Sequence, residues 1–128
     1  MENKNNPLSP HLQIYSWNIS SLLSIAHRIV GVINFIVIIF LSLWTMLLLL
    51  GEFNYAFIKI FFQSFFGKFF VIGLCWSFSF HILNEIRHLA WDMGYGFNLK
   101  VSQITGIITI LGSFILAILI YLFGRNII

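Results

Sequence analysis

The chain has 128 residues, of which 59% are hydrophobic and only 9% are charged, with a formal net charge of +3. Soluble domains carry roughly 25% charged residues, so this composition predicts an integral membrane protein of one domain and argues against a basic nucleic-acid-binding surface. Cys75 is the only cysteine, which excludes an internal disulfide and a cysteine cluster for zinc or iron–sulfur binding.

The first 20 residues are the least apolar part of the chain. They contain neither the apolar core of a signal peptide nor an arginine-rich presequence, so nothing predicts their removal. Tyr15 and Trp17 carry rings of the kind that settle among lipid headgroups, which predicts an interfacial segment over residues 1–20. Ser20 or Ser21 is the predicted N-cap of the first long helix.

Long apolar runs with charges only at their ends follow. Residues 29–51 and 101–124 contain no charge, and each run is long enough to cross a bilayer, which takes ~20 residues. Between them, Lys68 and Arg87 lie 19 residues apart, a helical length of about 28 Å. The predicted fold is an all-α integral membrane domain with three transmembrane helices, at 21–51, 62–90 and 103–124. Residues 51–63 are treated as a short connection.

Three spans place the start of the first and the end of the second on one side of the membrane. Ser24, His27 and Arg28 therefore share a leaflet with the polar end of the second span. Lysines and arginines number four on that side and three on the other (Lys4, Arg28, Arg87 and Lys100 against Lys59, Lys68 and Arg125). The excess predicts that the N-terminus lies inside.

The end of the second span carries His81, Glu85, His88 and Asp92. Their spacing, i, i+4, i+7 and i+11, places them on one helical face. His81 lies roughly 9 Å deeper than Arg87 along the axis. Ionisable side chains at such depth usually face the bundle interior and mark a function.

A haem fits this pattern. Iron takes an imidazole as axial ligand, which His81 can supply, and the propionates take cationic donors such as His27, Arg28 or His88. The chain has no obvious second deep histidine, so a six-coordinate haem needs a ligand from a partner. Two structural alternatives remain open from spacing alone. His81 can instead bond a serine, with Ser77 one turn away, or a backbone carbonyl, and Arg28 can be an interfacial anchor.

Three motifs in order resemble one known family. They are Pro7-Leu-Ser-Pro-His-Leu-Gln-Ile-Tyr15, then Ser24-Ile-Ala-His-Arg28 followed by Gly31, and then residues 81–94 with Ile86-Arg-His-Leu-Ala-Trp-Asp92. The sequence over residues 7–96 is similar to the cytochrome b subunits of succinate dehydrogenase, the larger membrane anchors of respiratory complex II. The third span is consistent with that family but carries no motif.

This resemblance implies a subunit with no dehydrogenase site of its own. It would pair with a smaller anchor, hold the flavoprotein and iron–sulfur subunits, and pass electrons to ubiquinone in a bacterial or mitochondrial inner membrane. His81 would be an axial ligand of haem b, with the partner anchor supplying the other, and His27 would lie near a propionate. Ser24 and Arg28 would line the ubiquinone site.

Two positions depart from the family pattern. Asn6 stands where arginine is usual, and Glu85 stands where glycine is usual, one turn from His81. Glu85 is expected to point toward the headgroups, with His88, His27 or Arg28 as the nearest cations, and to leave the haem bound. Two alternatives to the haem-binding anchor remain: a haem-free structural anchor of the same complex, and an unrelated small transporter subunit.

Overall fold

Four helices make up the part of the chain that the structure, a computed structural model, describes, which is residues 17–51 and 55–127. They are α1 (Ile19–Leu49), α2 (Tyr55–Gln63), α3 (Phe65–Asp92) and α4 (Leu99–Ile127). α1, α3 and most of α4 are long and apolar enough to cross a membrane. The predicted all-α class with three spans is therefore confirmed. Residues 1–16, including Asn6 and the motif at 7–15, lie outside the described residues.

The first helix begins earlier than predicted. Asn18 has an extended backbone, and its carbonyl oxygen accepts hydrogen bonds from the amides of Ser21 and Leu22, both at 3.1 Å. The expected cap at Ser20 or Ser21 is therefore wrong, because the helical turn already starts at Ile19. Ser20 lies inside the helix with its hydroxyl free to bond across to another helix.

The connection between the first two spans contains a helix that sequence analysis does not predict. Its nine residues include one charge, Lys59, and no glycine or proline, so a helix is locally favoured. Ser64 then starts α3 as a true N-cap, since its hydroxyl accepts a hydrogen bond from the amide of Gly67 at 3.1 Å. The corner is tight, because a Cβ on Gly67 would collide with the carbonyl oxygen of Phe61.

Glycines also form the turn between α3 and α4. Gly94 and Gly96 have φ values of +87° and +81°, in the left-handed region that glycine occupies without strain. The side-chain oxygen of Asn98 accepts a hydrogen bond from the amide of Lys100 at 3.2 Å and starts α4. The third long helix thus begins before, and ends after, its predicted bounds of 103–124.

The interior of the bundle is more polar than its surface. Among the described residues, eight buried residues are polar or charged and four are hydrophobic, beside the buried glycines Gly67 and Gly106. A small apolar cluster of Leu23, Val30 and Phe80 joins α1 to α3. Most large apolar side chains instead face outward, as expected where the solvent is lipid and polar groups bind helices together. The buried polar residues are Asn34, Ser77, Ser79, Asn84, Arg87, Ser102, Thr109 and Ser113.

The start of α1, the end of α3 and the start of α4 meet at one end of the bundle. Ser20 and Ser102 are hydrogen-bonded at 2.6 Å, and Arg87 donates to both. A Cβ on Gly106 would lie 2.7 Å from Cδ1 of Leu23, so glycine allows α1 and α4 to approach closely here. The start of the first span and the end of the second therefore lie at the same end of the bundle, as the sequence predicts.

Candidate functional site

Three histidines from two helices form a continuous row of rings. The rings of His27 on α1 and His81 on α3 stack with centroids 4.3 Å apart and planes 14° from parallel. His27 is also 5.4 Å from His88, whose ring meets Trp91 edge-on at 5.1 Å. The row therefore runs from the deep histidine toward the end of α3. The structure thus brings together three of the residues that sequence analysis selected.

The imidazole of His81 is packed against α1 and has no competing hydrogen bond. A Cβ on Gly31 would lie 3.2 Å from Cε1 of His81, so glycine leaves the space that the ring uses. Its Nδ1 atom is buried and has no partner among the described residues. The alternative in which His81 is a structural hydrogen-bonding residue is therefore not supported. Ser77 bonds elsewhere, donating to Oδ1 of Asn34 at 2.6 Å.

Glu85 is the acidic residue of the cluster. Its Oε1 lies 3.1 Å from Nε2 of His27, with the two side chains 59% and 15% exposed. The atoms are close enough for an ion pair when the imidazole is protonated, but their orientation does not form a hydrogen bond. Ligand atoms of His27, His81 and Glu85 all lie within 4.8 Å of one another. Of the cations expected near Glu85, His27 is the one in contact.

The two residues expected to bind quinone both lie on α1. Ser24 is half-buried and Arg28 is exposed. Neither makes a hydrogen bond or ion pair with the described residues. They flank the row of rings in sequence, because Ser24 and Arg28 lie three residues before and one residue after His27. As far as residues 17–51 and 55–127 show, their donors are available to a ligand at the surface of the chain.

Sequence analysis missed a buried arginine beside this site. It treats Arg87 as the charged boundary of the second span, yet the residue is only 6% exposed. Its guanidinium donates to Ser20, Ser102 and Thr105 and lies 4.1 Å from the ring centroid of Trp91. The surrounding hydroxyls carry a signal that could have found it, since residues 102, 105 and 109 repeat at helical spacing.

Two buried asparagines were also missed. Asn34 pairs with Ser77 and so joins α1 to α3 in the apolar part of the bundle. Asn84 is completely enclosed, and neither its Oδ1 nor its Nδ2 has a partner among the described residues. A lone asparagine in an apolar run gives no sequence signal of which helix it will face. Asn34 fits the rule that polar groups join helices within a membrane.

The donor set fits one axial bond to a haem. His81 offers an imidazole whose enclosed nitrogen, Nδ1, faces α1 and whose ring is free of hydrogen bonds. His27 cannot be the opposite ligand as placed, because stacked rings present faces and not nitrogens to each other. In this arrangement His27 therefore leaves the second ligand position of the iron to another group. His27, His88 and Arg28 offer donors on the side toward the end of the span.

Comparison with known proteins gives one consistent family. The family described as succinate dehydrogenase/fumarate reductase transmembrane subunit matches residues 2–120. The chain is 38% identical to a succinate dehydrogenase cytochrome b556 subunit of Rickettsia prowazekii over 115 residues, covering 90% of each chain.

More distant relatives carry related names. The cytochrome b556 subunit of Paracoccus denitrificans is 31% identical over 115 residues, covering 90% of this chain and 88% of the relative. The succinate dehydrogenase cytochrome b560 subunit of Marchantia polymorpha is 35% identical over 120 residues, with the same coverage. These similarities extend beyond the three motifs into the third span.

Proposed function

Because this chain belongs to the family of succinate dehydrogenase/fumarate reductase transmembrane subunits, we propose that it binds haem b with a smaller anchor subunit and forms part of the ubiquinone site. A chain of this family is an integral membrane subunit of an oxidoreductase complex and is not catalytic on its own. In the proposed complex it joins iron–sulfur and flavoprotein subunits at a bacterial or mitochondrial inner membrane. Electrons pass from the iron–sulfur subunit to ubiquinone. Family membership argues against the transporter alternative.

The observation that carries the haem assignment is the environment of His81. Its imidazole is half-buried in an apolar span, and it makes no hydrogen bond with the described residues. Burying an imidazole at this depth costs free energy unless the ring coordinates a metal or forms a hydrogen bond. Bound there, a haem would supply one-electron redox chemistry, and His81 would hold its iron.

The residues toward the end of the span have complementary roles. His27 stacks on the ring of His81 and restricts its rotation. His88 and Arg28 supply donors for the propionates at the level where charges can reach the interface. Arg28 and Ser24 also donate to the quinone carbonyl oxygens, which gain negative charge on reduction.

Replacing His81 tests the ligand assignment. In the intact complex, His81→Leu should remove or greatly alter the low-spin b-type absorption spectrum, because the axial bond is lost. Assembly should survive, since leucine suits an apolar environment. His88→Leu is the comparison variant, because it removes an imidazole two turns further along α3, which is proposed to contact a propionate and not the iron. That variant should keep the low-spin spectrum. An unchanged spectrum in His81→Leu would overturn the assignment.

A haem-free anchor of the same complex is the second candidate. The observation that favours it is the carboxylate of Glu85 within 4.8 Å of the ligand atoms of His27 and His81. This carboxylate occupies space where the family usually has glycine. Pigment analysis of the purified native complex separates the candidates, because the haem-free anchor gives no b-type band at all.

A further inference from the structure

Arg87 links three helices at one end of the bundle. From α3, its Nη2 donates to Ser20 on α1 at 3.1 Å and to the hydroxyl and carbonyl oxygens of Ser102 on α4 at 3.1 and 2.9 Å. Its Nε donates to Thr105 at 3.2 Å. The guanidinium carbon lies 4.1 Å from the ring centroid of Trp91. One side chain therefore holds the first turn of α1 against both other spans.

The partners of this cation are all neutral. Arg87 forms no ion pair with the described residues, where Glu85 contacts His27 instead. A buried charge without a counterion contributes little net stability, since desolvation opposes the bonds it makes. An apolar side chain would pack α3 against α4 at lower cost. What the arginine adds is directional contact with a particular residue of α1.

The contacted residue lies close to the proposed quinone donors. Ser20 is one helical turn before Ser24, so the two share a face of α1. Ser20 also bonds Ser102 at 2.6 Å. The adjoining contact is tight, since a Cβ on Gly106 would lie 3.0 Å from Cγ2 of Ile19 and 3.8 Å from Nη2 of Arg87. A rotation or slip of the first turn of α1 would break these bonds and carry Ser24 and Arg28 with it.

We propose that Arg87 is a positioning residue for quinone reduction, which fixes the first turn of α1, and thereby Ser24 and Arg28, through its bond to Ser20. This inference rests on the proposed quinone site. The guanidinium suits the task because its rigid planar fork reaches acceptors on two helices while its face stacks on Trp91. A lysine ammonium is a single point charge and cannot hold all of these contacts at once.

The test compares variants of the network in the intact complex. Arg87→Lys keeps the charge and should lower kcat/KM for ubiquinone on the order of 10- to 100-fold, the loss expected from misplacing binding groups. Ser20→Ala removes only the link to α1 and should raise the KM for ubiquinone roughly fivefold. Succinate oxidation by a soluble dye should be unchanged in both variants. The double variant should lose less than the product of the two single losses, because both changes break the bond between Arg87 and Ser20.

Ser113→Ala is the matched control. That hydroxyl is also completely buried on α4, but it donates only to the carbonyl oxygen of Ile110 in its own helix, at 2.7 Å. Its removal should leave the quinone kinetics unchanged. If Arg87→Lys prevents assembly, Ser20→Ala and Ser102→Ala decide the matter, because they keep the arginine and remove its partners.

Two outcomes separate this inference from the proposed quinone site. In the first, Arg87→Lys and Ser20→Ala reduce only the amount of complex and leave the KM for ubiquinone unchanged. Arg87 then only stabilises the bundle, and the inference is wrong. The quinone site can still be right in that case, provided that Ser24→Ala and Arg28→Leu alter ubiquinone kinetics. If those two variants also leave the ubiquinone kinetics unchanged, the quinone assignment itself is wrong.

Discussion

Glu85 places a negative charge close to His81, the proposed haem ligand, with the ring of His27 between them. Its carboxylate is 3.1 Å from Nε2 of His27, and the ring of His27 stacks on that of His81. The side chain is 59% exposed on the chain, so it is not confined by the packing of α3. A haem and this carboxylate can therefore both be accommodated if Glu85 extends toward the interface, which is only about 3 Å away along the axis at the level of Arg87.

Removing this charge should raise the midpoint potential of the haem. Glu85→Gly should retain the haem and shift its potential upward, because a negative charge that stabilises the ferric form has gone. Glu85→Gln separates charge from volume, since it keeps the side-chain size and should give a similar upward shift. Redox titration of the b-type band measures both variants.

A different pattern would favour the haem-free anchor. In that case the native complex lacks the b-type band and Glu85→Gly creates it, because the carboxylate fills the pocket. Glu85→Gln would then stay without haem, since it is as large as the native residue. The pair of variants therefore tells an electrostatic effect of Glu85 from a steric one.

At the scale of the helices, the contact between α1 and α3 depends on small and polar residues. Gly31 leaves room for the ring of His81, and Asn34 accepts a hydrogen bond from Ser77 one turn further along the bundle. The ring position is thus set by the backbone of α1 and not by a hydrogen bond. A side chain at position 31 should move the imidazole without disturbing the rest of the contact.

Gly31→Ala should disturb the haem without destabilising α1. Alanine favours the helix by about 1 kcal/mol over glycine, but its Cβ would lie 3.2 Å from Cε1 of His81 and displace the ring by a few tenths of an ångström. We expect normal assembly with a lowered haem content, and a larger loss in Gly31→Val.

Gly73→Ala is the control for this change. It makes the same substitution inside α3, where a Cβ would meet nothing within 4 Å. Quantification of haem per complex should give the wild-type value for Gly73→Ala. A native haem content and spectrum in Gly31→Val would show that α1 does not position His81.

Sequence patterns predicted the helices better than their ends. Charge-free runs bounded by Arg28, Lys68 and Arg125 predict three spans because lipid requires uninterrupted apolar helices. The cap at Asn18 and the helix Tyr55–Gln63 were not predicted, since neither depends on a run of that kind. Local geometry, not hydropathy, decides where such helices begin.

Contacts between helices were predictable only where polar residues on two helices were expected at the same end of the bundle. His27 and His81 were both expected on one side of the membrane, and their rings do meet. The burial of Arg87 was not predicted, because its acceptors are hydroxyls on α1 and α4, which carry no charge to pair with it. Likewise, Ser77 bonds Asn34 and not His81, a choice that depends on how the helices rotate against each other.

At the scale of the whole molecule, α1 is the least covered of the three long helices. Only 6% of the most apolar stretch of α1 is buried within the chain, against 22% for α3 and α4. The candidate haem and quinone residues of α1, Ser24, His27 and Arg28, lie along this weakly covered helix. A partner anchor packed there would complete the site, in keeping with the proposal that the haem and the quinone lie at a boundary between subunits.

Electron flow through the assembled complex should depend on Ser24 and Arg28. Ser24→Ala and Arg28→Leu should each lower ubiquinone reduction by roughly 10- to 100-fold, because hydrogen bonds that strengthen as the quinone carbonyls gain charge are lost. Succinate oxidation by a soluble dye should remain nearly intact, since the dye accepts electrons without the membrane site.

The ratio of ubiquinone reduction to dye-coupled succinate oxidation shows whether a variant affects the quinone site or the assembly of the complex. Equal loss of both would mean that the complex fails to assemble, and retention of both would mean that Ser24 and Arg28 only anchor α1 at the interface. Ser42→Ala serves as the control, because this exposed hydroxyl on α1 donates to the carbonyl oxygen of Ile38 in its own helix at 2.8 Å. Ser42 lies five turns from Ser24 and makes no contact with the row of histidines, so both activities should match those of the wild-type complex.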